Sequence, residues 1–162
     1  MYMKKIFIGI IALLVATVTT NAQDLAFGNK SNRVGIGLGL PNVSIGSIKV
    51  PALSVAYEHG IVSFGKSTIG VGGAFEFSST ADNKSTSGEL FGKYHYNFTS
   101  RFDLSGRIGF GYGGYGSVKS VFYAIGADVN FQIINGFGVF AGLEAGSLPG
   151  KAFMRGGIFF QF

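Results

Sequence analysis

The chain has no cysteine, which removes disulfides, thiolate metal sites and cysteine nucleophiles together. Proline is scarce, at 3 of 162 residues, and charged residues make up only 13%, about half the share usual in soluble domains. Past the N-terminus no stretch approaches the roughly 18 consecutive apolar residues that a spanning helix needs. No segment carries a helical period either. What is abundant is glycine (27), phenylalanine (17) and overall apolarity, with a mean hydropathy of +0.37. A closed sheet that shows an apolar exterior to lipid produces that profile, because greasy residues are needed on its outside as well as within.

Residues 1–22 read as a removable secretory signal: Lys4 and Lys5 give the positive region, Ile6 to Val18 the apolar region, and Thr20-Asn21-Ala22 a small-residue cleavage site before Gln23. Without Lys4 and Lys5 the chain holds 11 basic and 8 acidic residues, a net charge of +3. The basic residues are scattered, so no nucleic-acid footprint is visible. The remaining 140 residues are one domain by size. Residues 23–32 lack alternation and are expected to form a short periplasmic lead-in, followed by a barrel domain over 33–162.

Period-two alternation predicts eight strands, near Arg33–Leu40, Val50–His59, Thr68–Ser78, Ser87–Phe98, Phe102–Gly113, Ser120–Gln132, Phe137–Gly146 and Arg155–Phe162. Asp82-Asn83-Lys84 centres a polar loop, Thr99 to Arg101 a tight connection, Asn135-Gly136 a hairpin turn and Leu148-Pro149-Gly150 a further turn. This spacing suits membrane-crossing strands of roughly 9–11 tilted residues with short links.

The charges are sorted. If each strand's aliphatic and aromatic parity faces outward, the acids Glu58, Glu76, Glu89, Asp103, Asp128 and Glu144 all fall on the opposite parity, as do Arg33, Lys93, Arg107 and Arg155. A lipid-facing Arg or Lys at the bilayer midplane costs about 2–4 kcal/mol, which is reason enough for the sorting. Inward glycines at 35, 37, 70, 72, 109, 111 and 142 leave room for these long side chains to cross a narrow interior and pair. With the N-terminus at the periplasmic side, Tyr57, Tyr96, Phe98, Phe102, Phe131, Phe137, Phe160 and Phe162 gather near one boundary and Phe75, Phe77, Tyr112 and Tyr123 near the other, as two aromatic girdles.

The chain ends Arg155-Gly156-Gly157-Ile158-Phe159-Phe160-Gln161-Phe162. Arg155, Gly157, Phe160 and Phe162 stand where a polar residue, a glycine and two aromatics stand in the terminal insertion signal of bacterial outer-membrane barrels. With the strand pattern, this makes residues 33–162 similar to the small eight-stranded outer-membrane β-barrel family, the OmpX-like and OmpA-like transmembrane domains. The resemblance implies an all-β, antiparallel, up-and-down transmembrane barrel in the outer membrane. It also implies contact with outer-membrane lipid, insertion by the barrel assembly machinery through the last strand, and a monomeric state. The outer loops (Pro41 to Lys49, Ser79 to Ser85, Gly114 to Lys119, Ser147 to Lys151) are short for that family, which weakens the case for a protruding adhesive surface.

Little chemistry stands out. Gly109-Phe-Gly-Tyr-Gly-Gly114 matches a dinucleotide fingerprint literally but lies inside a strand and opens no helix. His95 lies inward near several acids and His59 near a strand end; a lipid-modifying enzyme would need a serine such as Ser105 or Ser54 working with His95. A lumen histidine bonded to a carboxylate is the simpler reading. The inner carboxylates have no metal-ligand spacing, and no cofactor is implied. Three roles follow: a structural or interaction barrel with a plugged, charged lumen, a small pore, or a lipid-modifying enzyme, with the first favoured.

Overall fold

The computed structural model describes residues 25–41, 51–79, 84–115, 117–147 and 152–162, with backbone alone at 41, 115, 152 and 153. The expected signal peptide and parts of the outer loops lie outside the described residues. Eight strands follow one another: β1 (Asn32–Pro41), β2 (Ala52–Phe64), β3 (Ser67–Ser79), β4 (Lys84–Asn97), β5 (Phe102–Tyr115), β6 (Val118–Ile134), β7 (Phe137–Gly146) and β8 (Ala152–Gln161). Each pairs antiparallel with its sequence neighbour, and β8 pairs back onto β1 to close the barrel. Closure satisfies the backbone groups that an open edge would leave bare to hydrocarbon.

The last strand completes that closure. Val34 is opposite Phe160 and Ile36 opposite Ile158. Beyond them Asn32 N donates to Phe162 O at 2.7 Å and Phe162 N to Asn32 O at 2.9 Å. The terminal aromatic is therefore bonded to the first residue of β1. The Phe160 ring packs on Phe137, with centroids 5.2 Å apart.

Period two is kept on both walls. Along β6, Phe122, Ala124, Asp128 and Asn130 are buried while Val121, Tyr123, Ile125 and Val129 are exposed. Two departures from alternation explain where the expected strands stop early. The β2–β3 register shifts between Gly60 and Val62, and the β6–β7 register between Gln132 and Ile134. Each bulge places consecutive apolar residues outside, Ile61-Val62 and Ile133-Ile134, which breaks the period in the sequence. β2 therefore continues to Phe64 and turns through Gly65-Lys66, with Gly65 at φ 58°; Gly136 takes the same role after β6, at φ 78°. Two outer links are shorter than expected, since β3 reaches Ser79 before β4 begins at Lys84 and β5 reaches Tyr115 before β6 begins at Val118.

Candidate functional site in the barrel lumen

Side chains from all eight strands meet inside the barrel, and the ionised ones form a single file. Glu89 accepts from Arg107 at 2.7 Å, and Arg107 stands 3.6 Å from Glu144. Glu144 Oε2 forms an ion pair with Arg155 Nη1 at 3.0 Å, and Arg155 also donates to Asp128 at 2.9 Å. Asp128 accepts from Lys93 at 2.9 Å, and Lys93 lies 3.4 Å from Glu58. Glu58 is bonded to His95 Nε2 at 2.5 Å, His95 Nδ1 to Asp103 at 2.7 Å, and Asp103 to Arg33 at 3.1 Å. Ten groups thus alternate in sign without a break. Both His95 nitrogens face carboxylate oxygens, so both donate at once only in the imidazolium form, which sets five cations against five anions. A buried charge is tolerable when it is paired and hydrogen-bonded in this way.

Inward glycines make the file possible. A methyl group at Gly109 would overlap the Glu89 carboxylate, one at Gly142 the Asp128 carboxylate, and one at Gly70 the Glu58 carboxylate. Aromatic rings pack between the charges. The Arg107 guanidinium lies 4.1 Å from the Phe91 centroid, and that of Arg33 lies 4.2 Å from Phe159 and 4.7 Å from Phe27. Arg33 Nη1 has no hydrogen-bond acceptor among the described residues, and the two ring faces supply its electrostatic partner instead.

Phe27 belongs to the segment before β1, expected to be a lead-in outside the barrel. Residues 26–28 are instead buried against the inward side chains, with Ala26 and Phe27 both 0% exposed. Asn97 holds the Phe27 peptide from both sides: its Oδ1 accepts from Phe27 N at 2.8 Å and its Nδ2 donates to Phe27 O at 3.1 Å. Thr68 Oγ1 donates to the same carbonyl at 2.8 Å, and Arg33 and Gln132 donate to Ala26 O at 3.3 and 3.4 Å. The Phe27 ring rests on His95, with centroids 4.3 Å apart. The segment is thus held among inward side chains by Asn97, Thr68, Arg33 and Gln132.

All eleven inward ionisable residues expected from the sequence are found inside, ten of them in the file. The eleventh, Glu76, is buried beside it on β3. His59 stands apart, half-buried and 3.0 Å from Asn32 Oδ1. Ser105 is directly across from His95, but its hydroxyl donates to Asp128 O at 3.5 Å and both His95 nitrogens are engaged by carboxylates. Among the described residues no His, Cys, Asp and Glu group is arranged to hold a metal ion. Thr68, Asn97, Gln132 and Phe27 are the site residues that sequence reasoning passed over. The inward parity of Thr68, Asn97 and Gln132 was readable, but nothing in the spacing says that residues 25–31, Phe27 among them, turn back to meet them.

No protein-family model matches the chain, and neither does any curated protein. Solved structures do share its fold. The attachment invasion locus protein Ail of Yersinia pestis superposes with a TM-score of 0.54 at 16% identity, covering 84% of this chain and 100% of that one. Ail in complex with the heparin analogue sucrose octasulfate gives 0.53 at 17% identity, over 82% and 97%. Ail in a phospholipid bilayer nanodisc, where it is described as an outer-membrane protein, gives 0.52 at 15% identity, over 83% and 100%. At such identities the likeness is one of fold: this chain has the closed eight-stranded architecture of an outer-membrane β-barrel.

Proposed function

We propose that the protein is an integral outer-membrane β-barrel whose lumen is closed, serving a structural or interaction role rather than transport or catalysis. One observation supports this: among the described residues the ion-pair file crosses the lumen, and the cavity lined by Arg33, Glu58, Lys93, Asp128 and Arg155 is about 40 Å³, room for isolated waters. The apolar outer wall supports membrane insertion, since Ile108, Phe110, Val121 and Ile125 are each more than 60% exposed. The likeness in fold to a barrel studied in a phospholipid nanodisc supports the same location.

On this reading residues 1–22 direct export and are removed, and residues 25–31 serve as a stopper ahead of β1. Arg155, Gly157, Phe160 and Phe162 present the last strand to the barrel assembly machinery, and the folded chain is a monomer in outer-membrane lipid. The engagement of both His95 nitrogens favours this over a lipid-modifying enzyme, whose base would need a free nitrogen facing a nucleophile. The test is a planar-bilayer recording of the refolded chain. No steady current is expected, whereas a stable conductance would establish a pore and overturn the closed-lumen reading.

A further inference from the structure

Residues 26–28 are buried, while Leu25 before them is half-buried and Asn29 and Lys30 after them are exposed. The chain thus dips into the lumen and leaves again by the mouth where Asn32 and Phe162 are paired. Ala26, Phe27 and Gly28 have no polar side chain, so what the wall bonds there is backbone common to any polypeptide. Asn97 does this most fully: its carboxamide accepts from the N–H and donates to the C=O of one residue, the same exchange that a neighbouring strand makes. Thr68 adds a second donor to that carbonyl, and Arg33 and Gln132 hold the carbonyl before it. The one side chain gripped is the Phe27 ring, 4.3 Å from the His95 ring centroid and 4.7 Å from the Arg33 guanidinium. A guanidinium and an imidazolium favour an aromatic face there over an aliphatic one.

Closing the lumen does not require this equipment, because the ion-pair file already crosses it. Thr68 and Asn97 are 0% and 1% exposed, and a buried polar group left without its partner is costly. The vacated cleft therefore demands another peptide, or water, in place of Phe27. The segment that fills it is itself under strain. Lys30 joins the buried residues to β1 with φ 64°, in the left-handed region that side chains other than glycine rarely enter. Release of residues 26–28 relieves it.

We propose that this cleft is a peptide-binding site which residues 26–28 fill in cis, and that its ligand in trans is an extended segment of another polypeptide carrying an aromatic residue between small ones. The inference deepens the interaction role proposed above and rests on it. A second copy of this chain is not the donor: residues 29–31 span at most about 10 Å, too short to carry residues 26–28 from one barrel into the mouth of its neighbour. Tethered so closely, the cis segment acts at an effective concentration on the order of millimolar. A free peptide meets the cleft only in competition with it, and the wild type binds weakly as a result.

Fluorescence anisotropy of a labelled peptide copying Leu25-Ala26-Phe27-Gly28-Asn29, titrated with the full chain refolded in neutral detergent, tests it. Lys30→Pro fixes φ near about −65°, which the seated segment cannot accept, and leaves the cleft itself untouched. This variant should bind the peptide at least about ten-fold more tightly than the wild type. Replacing the phenylalanine of the peptide by alanine should lower that affinity about ten-fold. In the same background the wall contacts serve the peptide alone, so adding Asn97→Ala should cost about ten-fold as well. If Lys30→Pro does not give a compact unboiled band, Phe27→Ala weakens the cis segment instead and should show the same gain. If Asn97→Ala does not, Thr68→Val removes one donor to the Phe27 carbonyl and should cost roughly five-fold. No gain in either unmasked variant overturns the inference. So does a gain that survives both wall changes or the loss of the peptide's ring, because the peptide is then held by detergent or elsewhere on the chain. A steady current through the wild type in a planar bilayer overturns the closed-barrel reading itself, a result distinct from a closed barrel that ignores the peptide.

Discussion

The two walls of this barrel share one backbone and differ in everything else. On β6, Asp128 and Asn130 are at most 3% exposed while Val129 between them is 43% exposed. On β5 the inward Arg107 is 4% exposed and the adjacent Ile108 69%. In a water-soluble barrel the wet face is outside and the charges collect there; here the charges are enclosed and the outside is aliphatic and aromatic. The inner wall depends on partners at short range, because each ionised group is held by the next. The outer wall depends on having no such requirement, because the bilayer supplies nonspecific contacts everywhere. A change inside should therefore propagate to neighbours, and a change outside should be felt only when it introduces polarity.

The sharpest test removes one link of the inner file. Asp128→Ala would leave Lys93 and Arg155 without the carboxylate both bond at 2.9 Å. Breaking a buried pair costs about 3–5 kcal/mol, and the expected readout is a lower urea concentration at which the compact gel band is lost. The matching change outside is Ile108→Lys, which adds a charge to the lipid face. It should cost about 2–4 kcal/mol if the residue is near the midplane, less if it is near an interface. A cost near zero for Ile108→Lys together with a large one for Asp128→Ala would mean that the wall taken as outer is wet.

The buried segment before β1 offers a smaller effect of a different kind. Asn97→Ala leaves the Phe27 N–H without its acceptor and the Phe27 carbonyl with one donor fewer, a loss of about 1–3 kcal/mol for buried polar groups left unpaired. Because residues 25–31 precede the first strand of the barrel, most of that loss should appear locally. Limited proteolysis should clip near residues 25–31 in the variant while the barrel band stays compact. If the whole barrel loosens instead, the segment is an integral part of the wall's stability.

Parity reasoning reached the walls and stopped at the stopper for a physical reason. A strand's alternation encodes which face each side chain takes, so Glu89, Lys93, Arg107 and Arg155 could be placed from the sequence, and the C-terminal strand with them. Which carboxylate meets which cation depends on register and stagger between strands, and alternation carries no information about either. Nor does it see a bulge: Ile61 and Ile133 each add one residue, which reads as a lost period and hid the ends of β2 and β6. The segment 25–31 has no period at all, so its burial rests on hydrogen bonds to Thr68, Asn97 and Arg33 that are distant in the chain.

The least disruptive change expected is also the one that most cleanly separates the walls. Val121 is 74% exposed on the outer face of β6 and followed along the strand by Phe122, which is buried on the inward parity. In a water-filled setting an exposed valine is already solvated, and in a bilayer its methyl groups touch acyl chains that refill the space once they are gone. Either way Val121→Ala should shift stability by no more than about 0.5 kcal/mol, so stability alone does not discriminate. Accessibility does: a cysteine at 121, in a chain that has no other cysteine, should be labelled by a bilayer-partitioning maleimide and spared by a membrane-impermeant one. Phe122→Cys, on the buried inward parity, should resist the bilayer reagent. Reversal of that pattern would turn the barrel inside out and take the membrane reading with it.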